Sequence, residues 1–297
     1  MSLVHHAIEK DNLMNLRRLW FVVLVGLIAL LALASAVRAE QSAVFTCPDG
    51  TVIENAVEVS FDFVDGFYVI TVLGIDGFDP VLGVELDSGE TACNDDSADA
   101  SIYTLDLPTT GKVDASPFNS QITFEITDGI PGYALAYIGG FGGSSGEFVV
   151  IIEGHFVAEE APVFSVWMTQ NMLDSGVSPA IYHYAADDVL DPLLVLGPQI
   201  DEPIVIDGEA ILCDDAGTSL CWGETPSLVG ASVTVERGTV PGGPLDSLII
   251  IPIDEIQGDA GLFLNFRFGS YNMASQGEFF AIFHLGLQEV VTAGDSK

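Results

Sequence analysis

Basic residues are scarce in this 297-residue chain, which has eight lysines and arginines against 43 aspartates and glutamates. Residues 1–39 contain four of the eight basic residues and two of the 43 acidic ones. The remainder therefore keeps 4 against 41, a net charge of −37. A field of this sign repels phosphate backbones and anionic lipid headgroups. The composition therefore excludes nucleic acid as a partner.

Motifs that carry catalysis are also lacking. The chain has no HExxH, no CxxC and no EF-hand loop, and its five histidines follow no metal-ligand spacing. Residues 142–146 fit the formula GxSxG, but they lie in a glycine-rich hairpin before a strand, whereas hydrolases place that serine between a strand and a helix. The sequence predicts a protein that is not an enzyme. A hydrolase with an unrecognised pair among the 41 carboxylates is an alternative.

The N-terminal segment has the pattern of an export signal. Arg17 and Arg18 precede the apolar run 19–34, and small residues follow it, so residues 1–39 are predicted to be a secretory signal peptide. The alternative is an uncleaved anchor, since the run approaches the length that spans a bilayer. In both cases the chain after Glu40 is exported. We expect a secreted or cell-surface protein that contacts the membrane through this segment if it is retained.

Four cysteines in an exported chain favour disulfides over a metal cluster. Four cysteines permit three pairings. We favour Cys47 with Cys93 and Cys213 with Cys221, because each bridge then stays inside one half of the chain. In the chain-entropy description, the longer loop is worth about 4 kcal/mol and the shorter one about 2 to 3 kcal/mol.

The hydrophobic pattern is that of β-strands, with almost no helical period. Residues 57–63 (VEVSFDF) alternate apolar and polar, and residues 67–73 (FYVITVL) are rich in β-branched and aromatic side chains. Asp65-Gly66 between them predicts a hairpin. Further strands are predicted at 122–126, 133–138, 147–152, 163–169, 192–196, 247–253, 262–268 and 278–285. Short strands between Gly, Asp and Pro turns indicate an all-β sandwich or barrel.

The chain contains an internal repeat. FDPVLGVELDSGETACNDD, at 78–96, and DPLLVLGPQIDEPIVIDGEAILCDD, at 191–215, share an Asp-Pro pair, an apolar run, a Gly turn and a cysteine followed by acids. Asn119-Ser120 corresponds to Asp246-Ser247, and Gly146-Glu147-Phe148 to Gly277-Glu278-Phe279. The second copy has longer loops, as expected of duplicated strands with variable connections. We predict two β-sandwich modules in tandem, at 40–158 and 159–297.

The first copy, including NSQITFEITDGIPGYALAYIGGFGGSSGEFVVIIEG at 119–154, resembles the bacterial pre-peptidase C-terminal domain. The resemblance implies a jelly-roll-like antiparallel β-sandwich that accompanies secreted proteases. It also implies a binding role in place of cleavage, with calcium held by acidic loops. Carried over by position, the calcium ligands would be Asp79, Asn94, Asp95 and Asp96 in the first copy and Asp191, Asp214 and Asp215 in the second. The alternative is an acidic turn satisfied by water and backbone amides.

Aromatic residues in loops are candidates for partner contact, because a ring combines large apolar area with a polar tip. Trp222 follows Cys221 in the loop SLCWGETPS and is the candidate binding residue, whereas Trp167 is expected in the core. We expect a non-catalytic binding or surface-structural protein. Its partner would be an extracellular protein, a polysaccharide or further copies of itself. An accessory role for a separate secreted hydrolase is the alternative.

Overall fold

The computed structural model describes residues 43–63, 66–126, 132–156, 163–185, 192–197, 204–206, 209–211, 228–236, 238–243, 246–251, 253, 262–270 and 277–288. The predicted signal peptide lies outside them. The described strands are β1 (Ala43–Thr46), β2 (Val52–Phe63), β3 (Gly66–Gly74), β4 (Pro80–Leu86), β5 (Thr91–Asn94), β6 (Thr104–Leu107), β7 (Gly111–Val113), β8 (Ser120–Ile126), β9 (Gly132–Gly140), β10 (Gly146–Phe156), β11 (Val163–Met168), β12 (Ala180–Ala185), β13 (Pro192–Gly197), β14 (Ile204–Ile206), β15 (Glu209–Ile211), β16 (Ser232–Val235), β17 (Gly238–Pro241), β18 (Ser247–Ile250), β19 (Leu262–Ser270) and β20 (Gly277–Leu287). One short helix, α1 (Gln170–Asp174), is also described. The predicted all-β class is confirmed.

The strands form three layers. The front sheet has the order β13-β19-β11-β2-β9-β4-β5, with β1 paired to β2, and the middle sheet has the order β18-β12-β20-β10-β3-β8. The back sheet, β17-β16-β6-β7, covers the outer side of the middle sheet, and β14 and β15 form a separate hairpin. All described strand pairings within these sheets are antiparallel, as expected of a sandwich in which alternate side chains face a core.

Apolar residues at alternate positions of the strands form two hydrophobic cores. Between the front and middle sheets, Phe164 lies among the rings of Phe61, Phe268 and Phe283. Between the middle and back sheets, apolar residues of β10 and β20 meet those of β6 and β16. The middle sheet is buried on both faces, which is why β20 reads GEFFAIFHLGL with so few polar positions. Truncating a core phenylalanine such as Phe164 to alanine typically costs about 3 to 5 kcal/mol.

The predicted hairpin between β2 and β3 is wrong. β2 pairs with β9 and β11 in the front sheet, whereas β3 pairs with β10 and β8 in the middle sheet. Val59 of β2 and Ile70 of β3 both point into the same core from opposite sides. The two strands therefore belong to different sheets that face each other across one core, and they are not hairpin partners.

The two halves of the chain share their sheets. β2 of the first half pairs with β11 of the second in the front sheet, and β10 pairs with β20 over eleven residue pairs in the middle sheet. β6 pairs with β16 in the same way in the back sheet. Residues Ser42–Lys297 consequently form one compact unit. The predicted boundary at 158/159 falls outside the described residues, between the end of β10 and the start of β11.

The pairing register repeats between the halves. Apart from β1 and β5, which have no counterpart in these sheets, each strand of the first half occupies the same place as one of the second half. The corresponding pairs are β2 and β11, β9 and β19, β4 and β13, β10 and β20, β3 and β12, and β8 and β18. In the first half the pairs are Gly74–Phe148, Pro80–Gly140 and Val72–Ser120, and in the second half they are Ala185–Phe279, Pro192–Ser270 and His183–Ser247. The two halves are thus related by a pseudo-twofold axis, and Ile151 pairs with its own equivalent, Ile282, where the axis crosses β10 and β20.

Side-chain hydrogen bonds follow the same repeat. The Gly74 amide donates to Asn119 Oδ1 at 3.2 Å, and the equivalent Ala185 amide donates to Asp246 Oδ1 at 2.9 Å. Asn119 and Asp246 are both buried and both precede an edge strand of the middle sheet. The internal match seen in the sequence therefore corresponds to a repeat of the fold.

Candidate functional site: an acidic loop cluster

Three acidic side chains converge at one end of the front sheet. Asp79 immediately precedes β4, and Asp95 and Asp96 immediately follow β5. Because β4 and β5 are antiparallel neighbours, the start of the first lies beside the end of the second. One oxygen from each of the three carboxylates lies within 4.8 Å of the others. The sequence predicted all three residues as ligands, and the structure brings them together.

Backbone and side-chain hydrogen bonds hold this loop against β8. The Ser120 hydroxyl is within hydrogen-bond distance of the Asp95 and Pro80 carbonyl oxygens, at 2.6 and 2.7 Å. The Ser97 amide donates to the Asn119 carbonyl at 2.8 Å. These contacts join the two chain segments that carry the cluster, so the carboxylates sit on fixed backbone.

Asn94, also predicted as a ligand, makes two hydrogen bonds in this loop. Its Oδ1 accepts from the Gln121 amide at 3.1 Å, and its Nδ2 donates to the Asp96 carbonyl at 3.4 Å. The side chain therefore ties the loop to β8 and shapes the turn around Asp96. Asx side chains commonly make such local bonds at turns.

The electrostatics of the cluster are unfavourable without a positive charge. Burial, and then the negative charge of Asp96, raise the pKa of Asp79. Burial, followed by the charges of Asp79 and Asp96, raises the pKa of Asp95. One oxygen of Asp79 and one of Asp95 are inaccessible to solvent and have no hydrogen-bond partner among the described residues. Buried carboxylate oxygens are normally paired, so these two oxygens fit a bound cation.

The donor set matches a hard cation. All three side chains offer oxygen and none offers sulfur or imidazole nitrogen, which is the chemistry that Ca²⁺ and Mg²⁺ prefer. Calcium takes about six to eight oxygen ligands, and backbone carbonyls or water would complete the set. The remaining predicted ligands, Asp191, Asp214 and Asp215, lie outside the described residues.

A disulfide anchors the loop. Cys47 and Cys93 are joined, with a Cα–Cα distance of 5.8 Å, which is the pairing that the sequence favoured. It ties the segment after β1 to Cys93 in β5, which lies two residues before Asp95. The other predicted pair, Cys213 with Cys221, and the candidate binding residue Trp222 lie outside the described residues.

Sequence reasoning missed a polar network around His284. The imidazole is 4% exposed, with Nδ1 at 3.0 Å from Thr109 Oγ1 and Nε2 at 3.3 Å from Glu147 Oε2. The Thr109 hydroxyl lies 2.6 Å from the hydroxyl of Tyr182. Thr109 is 175 residues away from His284 in sequence, so no local signal could identify this partner.

Two further predictions concern aromatic and serine residues. Trp167 was expected in the core, but it is half-buried on the outer face of the front sheet, because the buried positions of β11 are Phe164, Val166 and Met168. Ser144, the serine of the GxSxG formula, is exposed in a turn that leads directly into β10. That context agrees with the turn interpretation and differs from the strand-to-helix turn of hydrolases.

No helix among the described residues has the length and apolar character needed to cross a membrane.

Comparisons with known proteins add little. No family profile and no curated protein sequence matches the chain. Among solved structures, the N-terminal CBM22-1–CBM22-2 tandem domain of Xyn10C from Paenibacillus barcinonensis is 11% identical over 75% of this chain and 79% of its own, with a TM-score of 0.20. The infectious bursal disease virus Gx strain structure is 8% identical over 82% and 69%, with a TM-score of 0.15. TM-scores this low support no inference about fold or function.

Proposed function

We propose that this is an exported, non-catalytic binding or surface-structural protein that holds calcium between Asp79, Asp95 and Asp96. The observation that carries the proposal is a pair of buried carboxylate oxygens that have no partner in the described part of the chain, in a cluster made of oxygen donors alone. Calcium would neutralise the repulsion between these acids and fix the end of the sandwich. The resemblance to the pre-peptidase C-terminal domain supports the same assignment.

Exposed rings beside the cluster support a contact surface at this end. Phe141 is 56% exposed, and its amide donates to the Asp79 carbonyl at 2.8 Å. Phe118 is 54% exposed and precedes Asn119, whose carbonyl receives the Ser97 amide. Exposed phenylalanines next to a metal site would supply apolar area for an extracellular protein or polysaccharide.

The calcium proposal is tested by thermal unfolding of residues 40–297 in calcium and in EGTA. A ligand present at about 100 times its Kd stabilises the native state by about 2.7 kcal/mol, so the melting temperature should rise clearly with calcium. Asp95→Asn should abolish this response, whereas Asp99→Asn should retain it, because Asp99 is an exposed acid of the same loop outside the cluster. Equal responses of the two variants, or no response of the parent protein, would reject the site.

The binding role is tested with glycan and extracellular-protein arrays in calcium and in EGTA. Binding that needs calcium, and that weakens in a Phe118→Ala/Phe141→Ala variant with unchanged melting, would place the partner at this end. A turnover of any arrayed substrate by the parent protein would contradict a non-catalytic role.

A further inference from the structure

A cavity of about 490 Å³ lies where the end of β3, the start of β10 and the end of β20 meet the segment around α1. Its lining comes from the turn after β3, the turn before β10, the end of α1 and the end of β20. Both halves of the chain therefore contribute to it. Cavities that hold small organic ligands have volumes of this order.

Backbone hydrogen bonds fix the walls of the cavity to one another. The Ile75 amide donates to the Glu147 carbonyl at 2.9 Å, which joins the turn after β3 to the start of β10. The Gln288 amide donates to the Asn171 carbonyl at 3.0 Å, which joins the end of β20 to α1. A ligand that enters a preformed cavity avoids the entropic cost of ordering its walls.

The wall around α1 is longer than its counterpart in the repeat. β2 is joined to β3 by residues 64–65, whereas the equivalent strands β11 and β12 are joined by residues 169–179, which contain α1. The longer connection packs against β20, where a Cβ atom on Gly286 would lie 2.6 Å from the Val177 side chain. Residues 64–65 are too few to form a comparable wall, so the cavity is an addition to one copy of the fold. Variable connections on a rigid scaffold commonly carry binding sites.

The floor of the cavity is apolar and its rim is polar. In the floor, Phe78 and Leu287 are buried, and Ile75 and Val177 are half-buried. The rim has three carboxylates, two serine hydroxyls and one amide, all from exposed residues: Asp76, Ser144, Ser145, Glu147, Asp174 and Gln288. No lysine, arginine or histidine occurs among the described lining residues. This lining therefore offers an anion no positive charge.

The polar groups of the rim include both donors and acceptors of hydrogen bonds. Carboxylates only accept, whereas serine hydroxyls and the glutamine amide can also donate. An ammonium group only donates, so it would use the acceptors of the rim and none of its donors. A sugar hydroxyl both donates and accepts, so a sugar can use the whole rim. The C–H face of a sugar ring is apolar and matches the floor.

We propose that this cavity binds the pyranose ring of a neutral sugar. Hydroxyl groups of the sugar donate to the carboxylates of Asp76, Glu147 and Asp174, and the C–H face of its ring packs on Phe78 and Leu287. Both a free sugar and one unit of a polysaccharide have this chemistry. The inference does not depend on bound calcium or on the exposed phenylalanine rings beside the acidic loop cluster.

The test is saturation-transfer NMR and titration of residues 40–297 with the methyl glycosides of glucose, galactose, mannose, xylose and N-acetylglucosamine. Physiological salt screens non-specific attraction to the acidic surface, and EGTA keeps the result separate from the calcium site. Cyclohexylamine is the control, because it has a six-membered ring and a positive charge but no hydroxyl group.

We expect saturable one-site binding of at least one glycoside, and weaker or no binding of cyclohexylamine. Absence of binding by all five glycosides would overturn the proposal. Binding of cyclohexylamine as tight as that of the best glycoside would also overturn it, since attraction between opposite charges would then account for the result.

Asp76→Gly is the variant that locates the site. Asp76 has a left-handed backbone, with φ of 51°, which glycine adopts without strain, so the change removes the carboxylate and leaves the fold intact. Affinity for the best glycoside should fall about tenfold or more, because a charged hydrogen-bond acceptor is lost. Asn55→Gly is the matched control, since Asn55 is also left-handed, with φ of 56°, and does not line the cavity. Equal affinities of these two variants would refute the site.

Asp174→Ala tests the wall around α1 separately. Asp174 is the last residue of α1 and is exposed, so its truncation leaves the hydrophobic core unchanged. Affinity for the best glycoside should again fall about tenfold or more. Parent-like affinity of this variant would show that α1 takes no part in binding, which contradicts the proposal.

A tetrasaccharide of the best-bound sugar distinguishes the two sources of the ligand. Binding as tight as that of the methyl glycoside, or tighter, would identify a polysaccharide chain. Weaker binding would identify a free sugar.

Discussion

At the scale of single residues, the hydrogen bonds around His284 determine where its proton lies. The Thr109 amide donates to the Tyr182 hydroxyl, which leaves the tyrosine proton for Thr109 Oγ1. The Thr109 hydroxyl can then donate to His284 Nδ1, and the neutral imidazole carries its proton on Nε2, facing Glu147. Protonation of Nδ1 would make the imidazole the donor to Thr109 Oγ1, and the Thr109 hydroxyl would lose its acceptor.

This network predicts a pH dependence of stability. Burial lowers the pKa of His284, although the Glu147 carboxylate opposes the shift. A histidine with a lowered native pKa is protonated more readily in the unfolded chain, so stability is lost as the pH falls below the ordinary value near 6.5 toward the native pKa. Chemical unfolding between about pH 7.5 and about pH 5.5 should therefore show this loss in the parent protein.

His284→Gln is the variant that isolates the effect, because an amide can bond both Thr109 and Glu147 without titrating. Its stability should change less over the same pH range than that of the parent. Burial is the main cause of the raised pKa values of Asp79, Asp95 and Asp246, so these groups stabilise the native state as the pH falls. Their contribution is the same in both proteins and cancels when one pH profile is subtracted from the other. Parallel pH profiles for the two proteins would contradict the assignment.

At the scale of secondary-structure elements, the disulfide attaches β1 to the rest of the front sheet. The Phe45 ring of β1 stacks on Tyr137, with centroids 4.6 Å apart, and lies over Gly83, where a Cβ atom would come within 2.5 Å of the ring. This small cluster is separate from the two main cores. Cys47–Cys93 therefore closes a small outer cluster and, at the same time, fixes the strand that leads into the acidic loop.

Removing that disulfide should destabilise the protein by about 4 kcal/mol, the chain-entropy value for a loop of this length. The measurement is denaturant unfolding of the Cys47→Ser/Cys93→Ser double variant under oxidising conditions. Calcium affinity should fall as well, because β5 then holds Asp95 and Asp96 less firmly. Adding reductant to the double variant reports separately on Cys213 and Cys221. An unchanged midpoint in the double variant would show that the bridge does not restrain the unfolded chain.

Each strand that the sequence predicted is described, because alternation of apolar residues is local, but strands such as β12 and β16 were not predicted. Leu264, Phe266 and Phe268 occupy alternate positions of the predicted strand 262–268, and all three face the core. Sheet membership was not predictable in the same way, and the hairpin expected at Asp65-Gly66 fails because a tight turn and an inter-sheet crossing have similar composition. Trp167 faces outward for a related reason, since only the neighbouring strands show which face of β11 is covered.

The site was predictable in part for the same physical reasons. Asp79, Asp95 and Asp96 could be predicted because each flanks a strand end in a repeated motif. The hydrogen bond from the Gln121 amide to Asn94 could not be predicted, because Gln121 lies in a strand 27 residues away in sequence.

At the scale of the whole molecule, the pseudo-twofold arrangement makes each half dependent on the other. Separation would expose β2 and β10 of the first half as edges, and β10 alone loses eleven residue pairs with β20. An exposed edge of this length, in a strand that reads FVVII, is a template for pairing with another chain. The self-pairing of Ile151 with its equivalent Ile282 shows which partner would fit, namely a second copy of the same half.

We therefore predict that residues 40–158, produced alone, associate as a symmetric homodimer through the edges that normally receive the second half. Light scattering after size-exclusion chromatography should give twice the mass of the fragment, and co-expression with residues 159–297 should restore a one-to-one complex. Ile151→Pro should abolish the homodimer, because proline is not tolerated at the centre of a paired strand, whereas Thr110→Pro in the turn between β6 and β7 should not. A monomeric fragment with a cooperative unfolding transition would contradict the prediction, since its core and edges would then be complete without the second half.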